Sequence, residues 1–190
     1  MGEPYIRPRK GSIEKPLRIA VLISGSGSGL LALLNHQQSN QSPHSTKLII
    51  SDNANAGGLR YGEDFGISAV AIPLPDLSDK HQQRIMHENL IHDMLMDSNI
   101  ELVILSGYMR ILTSTFVSKW KGRLINIHPS LLPKYPGAHA HRDALADGAK
   151  ITGCTVHLVD EGVDTGQILA QEEVEILDGD TIEILQERVK

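Results

Sequence analysis

The sequence has almost no cysteine: Cys154 is the single one in 190 residues. That excludes an internal disulfide framework and suits a reducing compartment, the cytoplasm by default. Long hydrophobic runs are missing too. No apolar stretch reaches the ~18 residues that a membrane span needs, and the opening MGEPYIRPRKGSIEKP has no apolar core of the kind a secretory signal carries. An excess of positive charge is also absent. The 18 Lys and Arg face 23 Asp and Glu, a net charge of −5. This balance argues against broad binding to nucleic acid or an anionic membrane and leaves room only for a local basic pocket for a small anion. Internal repeats are lacking as well. What is present is enough chain for one globular domain whose core needs no disulfide or metal staple.

Residues 1–16 read as a flexible leader. Pro4, Pro8 and Pro16, with Arg7, Arg9, Lys10 and Lys15, leave too little apolar surface to order the segment. An organelle transit peptide is the alternative, against which Glu3 and Glu14 count. From Leu17 onward, short apolar runs alternate with amphipathic stretches. LRIAVLI (17–23), KLIIS (47–51), AVAI (69–72), ELVILS (101–106) and RLINI (123–127) are continuous rather than alternating, as strands covered on both faces are. Helical patterns lie between them, near 28–38, 57–65, 78–97 and 109–120. The expectation is a single α/β domain, a mostly parallel twisted sheet with helices on both faces. After residue 150 two longer strands, TGCTVHLV and ILAQEEVEI, flank the acidic loop DEGVDTG (160–166) and predict an antiparallel addition near the C-terminus. The final DTIEILQERVK starts a helix and stops abruptly, which reads as a truncated C-terminal helix.

In such sheets ligands collect at the carboxyl ends of the strands, so the loops there carry the chemistry. SGSGSG (24–29) lies between a strand and a helix, where glycines let backbone N–H groups approach an anion and the helix dipole favours it. Leu30 stands where a dinucleotide fingerprint needs its third glycine, so a phosphate is expected rather than a dinucleotide. Asp52, after the second strand, is a candidate ribose-binding acid. Asn126 and His128 end the strand RLINI and project the same way, because strand side chains repeat with period two. An amide beside an imidazole suits stabilising an oxyanion and moving a proton. Pro129, Pro133 and Pro136 stiffen the loop that follows. His139 and His141 have an H-x-H spacing but no accompanying cysteines or H-E-x-x-H, so no metal is expected. In the acidic loop of Asp160, Glu161 and Asp164, a solvated turn is a reading that suits Glu161, whereas Asp164, if folded near His128, would raise its basicity and relay a proton. Cys154 has no activating neighbour and reads as a small core residue.

Taken together, VLISGSGS (21–28), GYMRIL (107–112), INIHPSLLPKYPG (125–137), HRDAL (141–145) and VHLVDEGVDTG (156–166) resemble the glycinamide ribonucleotide formyltransferases, in order and in spacing, from Leu17 to Lys190. The resemblance implies a Rossmann-like formyltransferase domain over 17–190. The activity it implies is transfer of a formyl group from 10-formyltetrahydrofolate, the cosubstrate, to the glycine amine of glycinamide ribonucleotide, without a metal. Asn126, His128 and Asp164 match the family's catalytic trio. Gly27, Ser28 and Gly29 would bind the nucleotide. Met109, Arg110, Ile111 and Leu112, with Asn126 and with Asp160, Glu161, Gly162, Val163 and Asp164, would meet the folate, and Arg84 its glutamate. Partners would be these small molecules, with neither nucleic acid nor membrane, for a monomer or homodimer. Ser26 and Gly29 stand where the family usually has asparagine, and the family continues past Lys190 with a helical segment that carries a substrate-contacting glutamate. Methionyl-tRNA formyltransferases share Asn-x-His and SLLP but follow them with an Arg-Gly turn and a second, basic domain. A formyltetrahydrofolate hydrolase, or a folate- or nucleotide-binding module without turnover, is the alternative activity.

Overall fold

The structure, a computed structural model, describes residues 7–190. It divides into two compact units, one ending at Leu124 and one spanning Ile125–Lys190.

In the first unit the strands are β1 (Leu17–Ile23), β2 (His44–Ser51), β3 (Ser68–Ala71) and β4 (Leu102–Ser106). All pair in parallel, with β1 between β2 and β4 and with β3 outside β2. The sequence explains the placing. Residues 20–23 are wholly buried, so the central strand must be apolar on both faces. Each fully buried Leu or Ile there contributes roughly 1.5–3 kcal/mol. Helix α1 (Ser28–Ser39) contributes Leu30 and Leu34 to the core. A 3-10 turn, Gly57–Arg60, leads into the short α2 (Tyr61–Phe65). Helix α3 (Lys80–Asp97) is opened by Asp79, whose carboxylate accepts from the amides of His81 and Gln82 and so satisfies two of the orphan donors of a helix start. Its buried positions, His87, Glu88, Ile91 and Leu95, recur at helical spacing.

The expected helix at 109–120 is shorter than its pattern. Only Ser114–Lys119 is helical (α4), capped by Thr113, whose hydroxyl accepts from Phe116 N–H. Gly107 ends β4 in the left-handed region, φ 65°, and residues 108–113 run without regular secondary structure. The reason is local. Met109 N–H bonds the Ser24 hydroxyl and Thr113 N–H bonds a carboxylate, so neither is available to a helical turn.

The second unit, from Ile125 on, holds most of β5 (Leu124–His128), which pairs antiparallel with β6 (Ile151–Leu158), and β7 (Ile168–Glu175), antiparallel to β6. The antiparallel addition expected near the C-terminus is therefore present. Two helices complete it, α5 (Ala140–Ala146) and α6 (Ile182–Val189), the latter capped by Thr181 and burying Leu185. Helix α5 had no counterpart among the expected elements. Its seven residues are too few to show a period, and only Ala140 and Ala144 are buried.

Of the expected leader, residues 1–6 lie outside the described residues. Further along, Arg9 makes two bonds to the Glu101 carboxylate and two more to the carbonyls of Lys15 and Pro16. That anchor was invisible in composition, because its partner lies 92 residues away.

Candidate functional site

The second unit gathers the three residues that sequence reasoning put together. Asn126 and His128 lie two apart on β5 and therefore share a face. Asp164 comes from the loop between β6 and β7 and holds a left-handed backbone, φ 55°, a conformation that Asp tolerates better than most residues. Its Oδ2 lies 3.4 Å from His128 Nδ1 and accepts from Gly137 N–H at 2.7 Å. Its Oδ1 accepts from Asn126 Nδ2 at 3.3 Å. The side chains of His128 and Asp164 are only 5% and 11% exposed, so the carboxylate acts through little screening solvent.

The ring of His128 is oriented from behind. Its Nε2 lies 2.8 Å from the Tyr135 carbonyl, which can only accept, so Nε2 carries a proton and Nδ1 is the nitrogen turned to Asp164. Tyr135 is itself in the left-handed region, φ 53°. Ser130, wholly buried, donates to the carbonyls of Lys134 and Tyr135 and fixes the turn. Thr155 donates to Ser130 O and accepts from Leu132 N–H and from Gln171, which fastens the same loop to β6 and β7. The loop thus takes its shape from these bonds as well as from its prolines.

A fourth residue was missed. His157 sits opposite Asn126 in the β5–β6 register. Its Nδ1 lies 2.9 Å from Leu158 O, so the proton is on Nδ1, and Nε2 accepts from Asn126 Nδ2 at 3.2 Å. Nε2 also lies 3.5 Å from Asp164 Oδ1. His157 thereby decides which end of the Asn126 amide faces the carboxylate. Sequence showed a histidine in an apolar run; only the strand register gives it a partner.

In the acidic loop, Asp160 Oδ1 accepts from Gly162 N–H and Thr165 Oγ1, a self-bonded turn, while Glu161, Gly162 and Val163 are exposed. His139 is exposed and His141 half-buried; burial, then the neighbouring His128, pushes the His141 imidazole down. Among the described residues no group of three or more His, Cys, Asp or Glu is placed to hold a metal ion. Cys154 is half-buried opposite Glu172.

In the first unit, Gly27 caps α1 with φ 68° and no side-chain cap bond. The first amides of α1 therefore have no side-chain acceptor at the cap. A Cβ at Gly27 would come within 3.1 Å of Gly58 Cα, and one at Gly29 within 2.6 Å of Ser106 Oγ, so both positions are tight, and Gly27 is left-handed as well. Met109 and Ile111 are 70% and 68% exposed, an apolar edge in an irregular segment. Arg84 is exposed on the second turn of α3. Asp52 is not free to act as a ribose acid through both oxygens: its Oδ2 accepts from Arg110 Nε at 2.6 Å.

The sequence model described as formyl transferase matches residues 17–190. The chain is 44% identical over 178 residues to the human trifunctional purine biosynthetic protein adenosine-3, covering 93% of this chain and 17% of that protein. It is 38% identical over 175 residues to the phosphoribosylglycinamide formyltransferase of Escherichia coli, covering 92% of this chain and 80% of that one. Among solved structures, the phosphoribosylglycinamide formyltransferase of Brucella melitensis superposes with a TM-score of 0.83 at 43% identity, covering 92% of this chain and 88% of that one. Glycinamide ribonucleotide transformylase 1 of Symbiobacterium toebii gives 0.85 at 38%, covering 92% and 80%.

Proposed function

The chain belongs to the formyl transferase family, and from that premise we propose that it transfers a formyl group from 10-formyltetrahydrofolate to the glycine amine of glycinamide ribonucleotide, a step of purine biosynthesis. Residues 17–190 are then one formyltransferase domain behind a leader of 1–16. The observation that carries the reading is the convergence of Asn126, His128 and Asp164 in the second unit, supported by the names of relatives that this chain covers at 80% or more.

The neutral amine attacks the formyl carbon, and the carbonyl oxygen becomes an oxyanion. Two donors meet it. His128 supplies Nδ1–H, its Nε2–H being held by Tyr135 O. Asn126 supplies a hydrogen of Nδ2, whose bonds of 3.2 and 3.3 Å to His157 and Asp164 are at the long end and yield to a charged acceptor. Asp164, 3.4 Å from His128 Nδ1, holds the ring in place. It also takes the proton from the attacking nitrogen, through an ordered water, and passes it toward the leaving folate nitrogen. The C–N bond to folate then breaks and the carbonyl reforms. No covalent enzyme intermediate and no metal enters the scheme.

The amides of Gly27, Ser28 and Gly29 hold the nucleotide phosphate at the start of α1. Met109, Arg110, Ile111 and Leu112, with Asn126 and Asp160 to Asp164, hold the donor, and Arg84 meets its glutamate. Such an enzyme acts on small molecules without nucleic acid or membrane, works in the cytoplasm and functions as a monomer or homodimer. The test is absorbance of the folate product, with and without glycinamide ribonucleotide. Product formation that requires the nucleotide supports the transferase. Product without it supports the hydrolase, and no product supports a binding module.

A further inference from the structure

Residues 107–113 of the first unit carry an exposed apolar edge and no regular backbone bonding, yet a segment that receives a flat heterocycle must keep its shape before the ligand arrives. Four attachments hold it. Ser24 N–H donates to Gly107 O at 3.1 Å, and Met109 N–H donates to Ser24 Oγ at 2.9 Å. The other two are carboxylates. Asp52, its side chain only 8% exposed, takes Arg110 Nε at 2.6 Å. Glu88, 4% exposed on α3, takes Thr113 N–H at 2.8 Å on one oxygen and the Thr113 hydroxyl on the other.

We infer that Asp52 and Glu88 are positioning residues that fix the two ends of the 109–112 segment for the formyl donor. The inference rests on the reading of that segment as the donor's.

A buried carboxylate that loses its cation or donor is left desolvated and unpaired, so both ends are tied to charges that have nowhere else to go. The Asp52 pair is asymmetric. The acid is buried, while the Arg110 side chain is 41% exposed, so the acid anchors and the arginine, with the backbone it carries, is what is anchored. The Thr113 hydroxyl both donates to Glu88 and accepts from Phe116 N–H, so the same bond that ends the segment also starts α4. The surroundings favour retention of charge balance. Burial, then the Asp52 charge, pushes the Tyr108 hydroxyl up, so it stays neutral between the two anchors. His87, next to Glu88, is pushed down by burial and donates from Nε2 to Ile72 O at 2.7 Å, so it adds no competing cation.

The experiment uses the whole 190-residue chain with Asp52→Asn, Asp52→Glu and Glu88→Gln, read by steady-state kinetics and by hydrogen exchange of the unliganded protein. Asp52→Asn and Glu88→Gln each raise KM for 10-formyltetrahydrofolate about tenfold. The KM for the nucleotide and kcat stay within about twofold. Asp52→Glu restores most of the donor KM. Amides of 108–113 exchange about tenfold faster in both neutral variants while those of β1 and β4 do not change. An unchanged donor KM, or equal rises in both KM values, overturns the inference, as does unchanged exchange at 108–113. If wild type neither binds nor consumes the folate, the proposed function fails. The exchange data then decide by themselves whether the two acids hold the segment. If Asp52→Asn does not fold, Glu88→Gln decides between the same outcomes.

Discussion

The proposed reacting groups of the second unit and the start of α1 in the first are built in opposite ways. In the second, nearly every donor and acceptor of interest is engaged by a neighbour: Asn126 by His157 and Asp164, His128 by Tyr135 O, Asp164 by Gly137 N–H. In the first, α1 begins without a side-chain cap, and Met109 and Ile111 stand exposed. On the proposed reading the reacting groups are cross-braced and buried, so the frame that carries them is set before charge develops and only the long Asn126 bonds must yield. On the same reading the amides at the start of α1 have no side-chain partner, so a phosphate completes them. On the proposed reading the difference sets the reacting groups apart from the phosphate site, and variants can test each.

The largest effect is expected at the brace itself. Asp164→Asn keeps the volume but removes the charge beside His128 Nδ1 and turns an amide toward Asn126 Nδ2. We expect kcat to fall about 10³-fold while folate binding weakens far less, because the other residues that hold the donor remain, checked by single-turnover kinetics and a folate titration. Loss of folate binding to the same extent would make Asp164 a ligand contact alone. His128→Ala is expected to lower turnover at least ~100-fold with little change in thermal unfolding. Near-normal turnover in a folded variant would remove His128 from the chemistry.

A smaller effect separates His157 from that pair. It touches Asn126 but is placed behind it, so His157→Phe should lower kcat about five- to tenfold, the worth of one hydrogen bond, with both KM values unchanged. His157→Gln, which keeps an acceptor, should recover part of the loss. A drop in melting temperature without the kcat change would make His157 structural alone.

These residues also show what the sequence could disclose. Strand and helix positions were legible because buried strands such as β1 are continuous apolar runs, and Asn126 and His128 could be paired because period two is a property of any strand. The contact of Asp164 with His128 was an expectation that only the fold could fulfil, since a turn, a helix and a strand intervene. His157 depends on antiparallel register, which no local pattern encodes. The segment 109–113 failed as a helix because its amides bond Ser24 and Glu88, residues remote in sequence. Local periodicity cannot weigh a tertiary competitor of that kind.

The smallest effect lies far from the chemistry in sequence and tests whether the amino-terminal segment behaves as leader or as part of the first unit. Arg9 bonds Glu101 through two nitrogens, and Glu101 also accepts from Arg18 N–H at 2.9 Å. Burial works to raise the Glu101 carboxyl, but the Arg9 and Arg18 bonds outweigh it and hold it below its ordinary value of 4.5. A depressed carboxylate stabilises the fold above its unfolded-state value and loses that contribution as the pH falls through the lower folded value. Arg9→Ala should therefore cost about 1 kcal/mol at neutral pH, the upper range for a partly exposed pair. The difference from wild type should persist down to about pH 4.5 and shrink below it, as Glu101 protonates in both proteins. Urea unfolding at a series of pH values measures this. A difference that is absent at pH 7 would show that the contact contributes nothing and that residues 7–16 act as leader; one that persists unchanged at pH 2 would assign the stabilisation to the Lys15 and Pro16 carbonyl bonds of Arg9 instead.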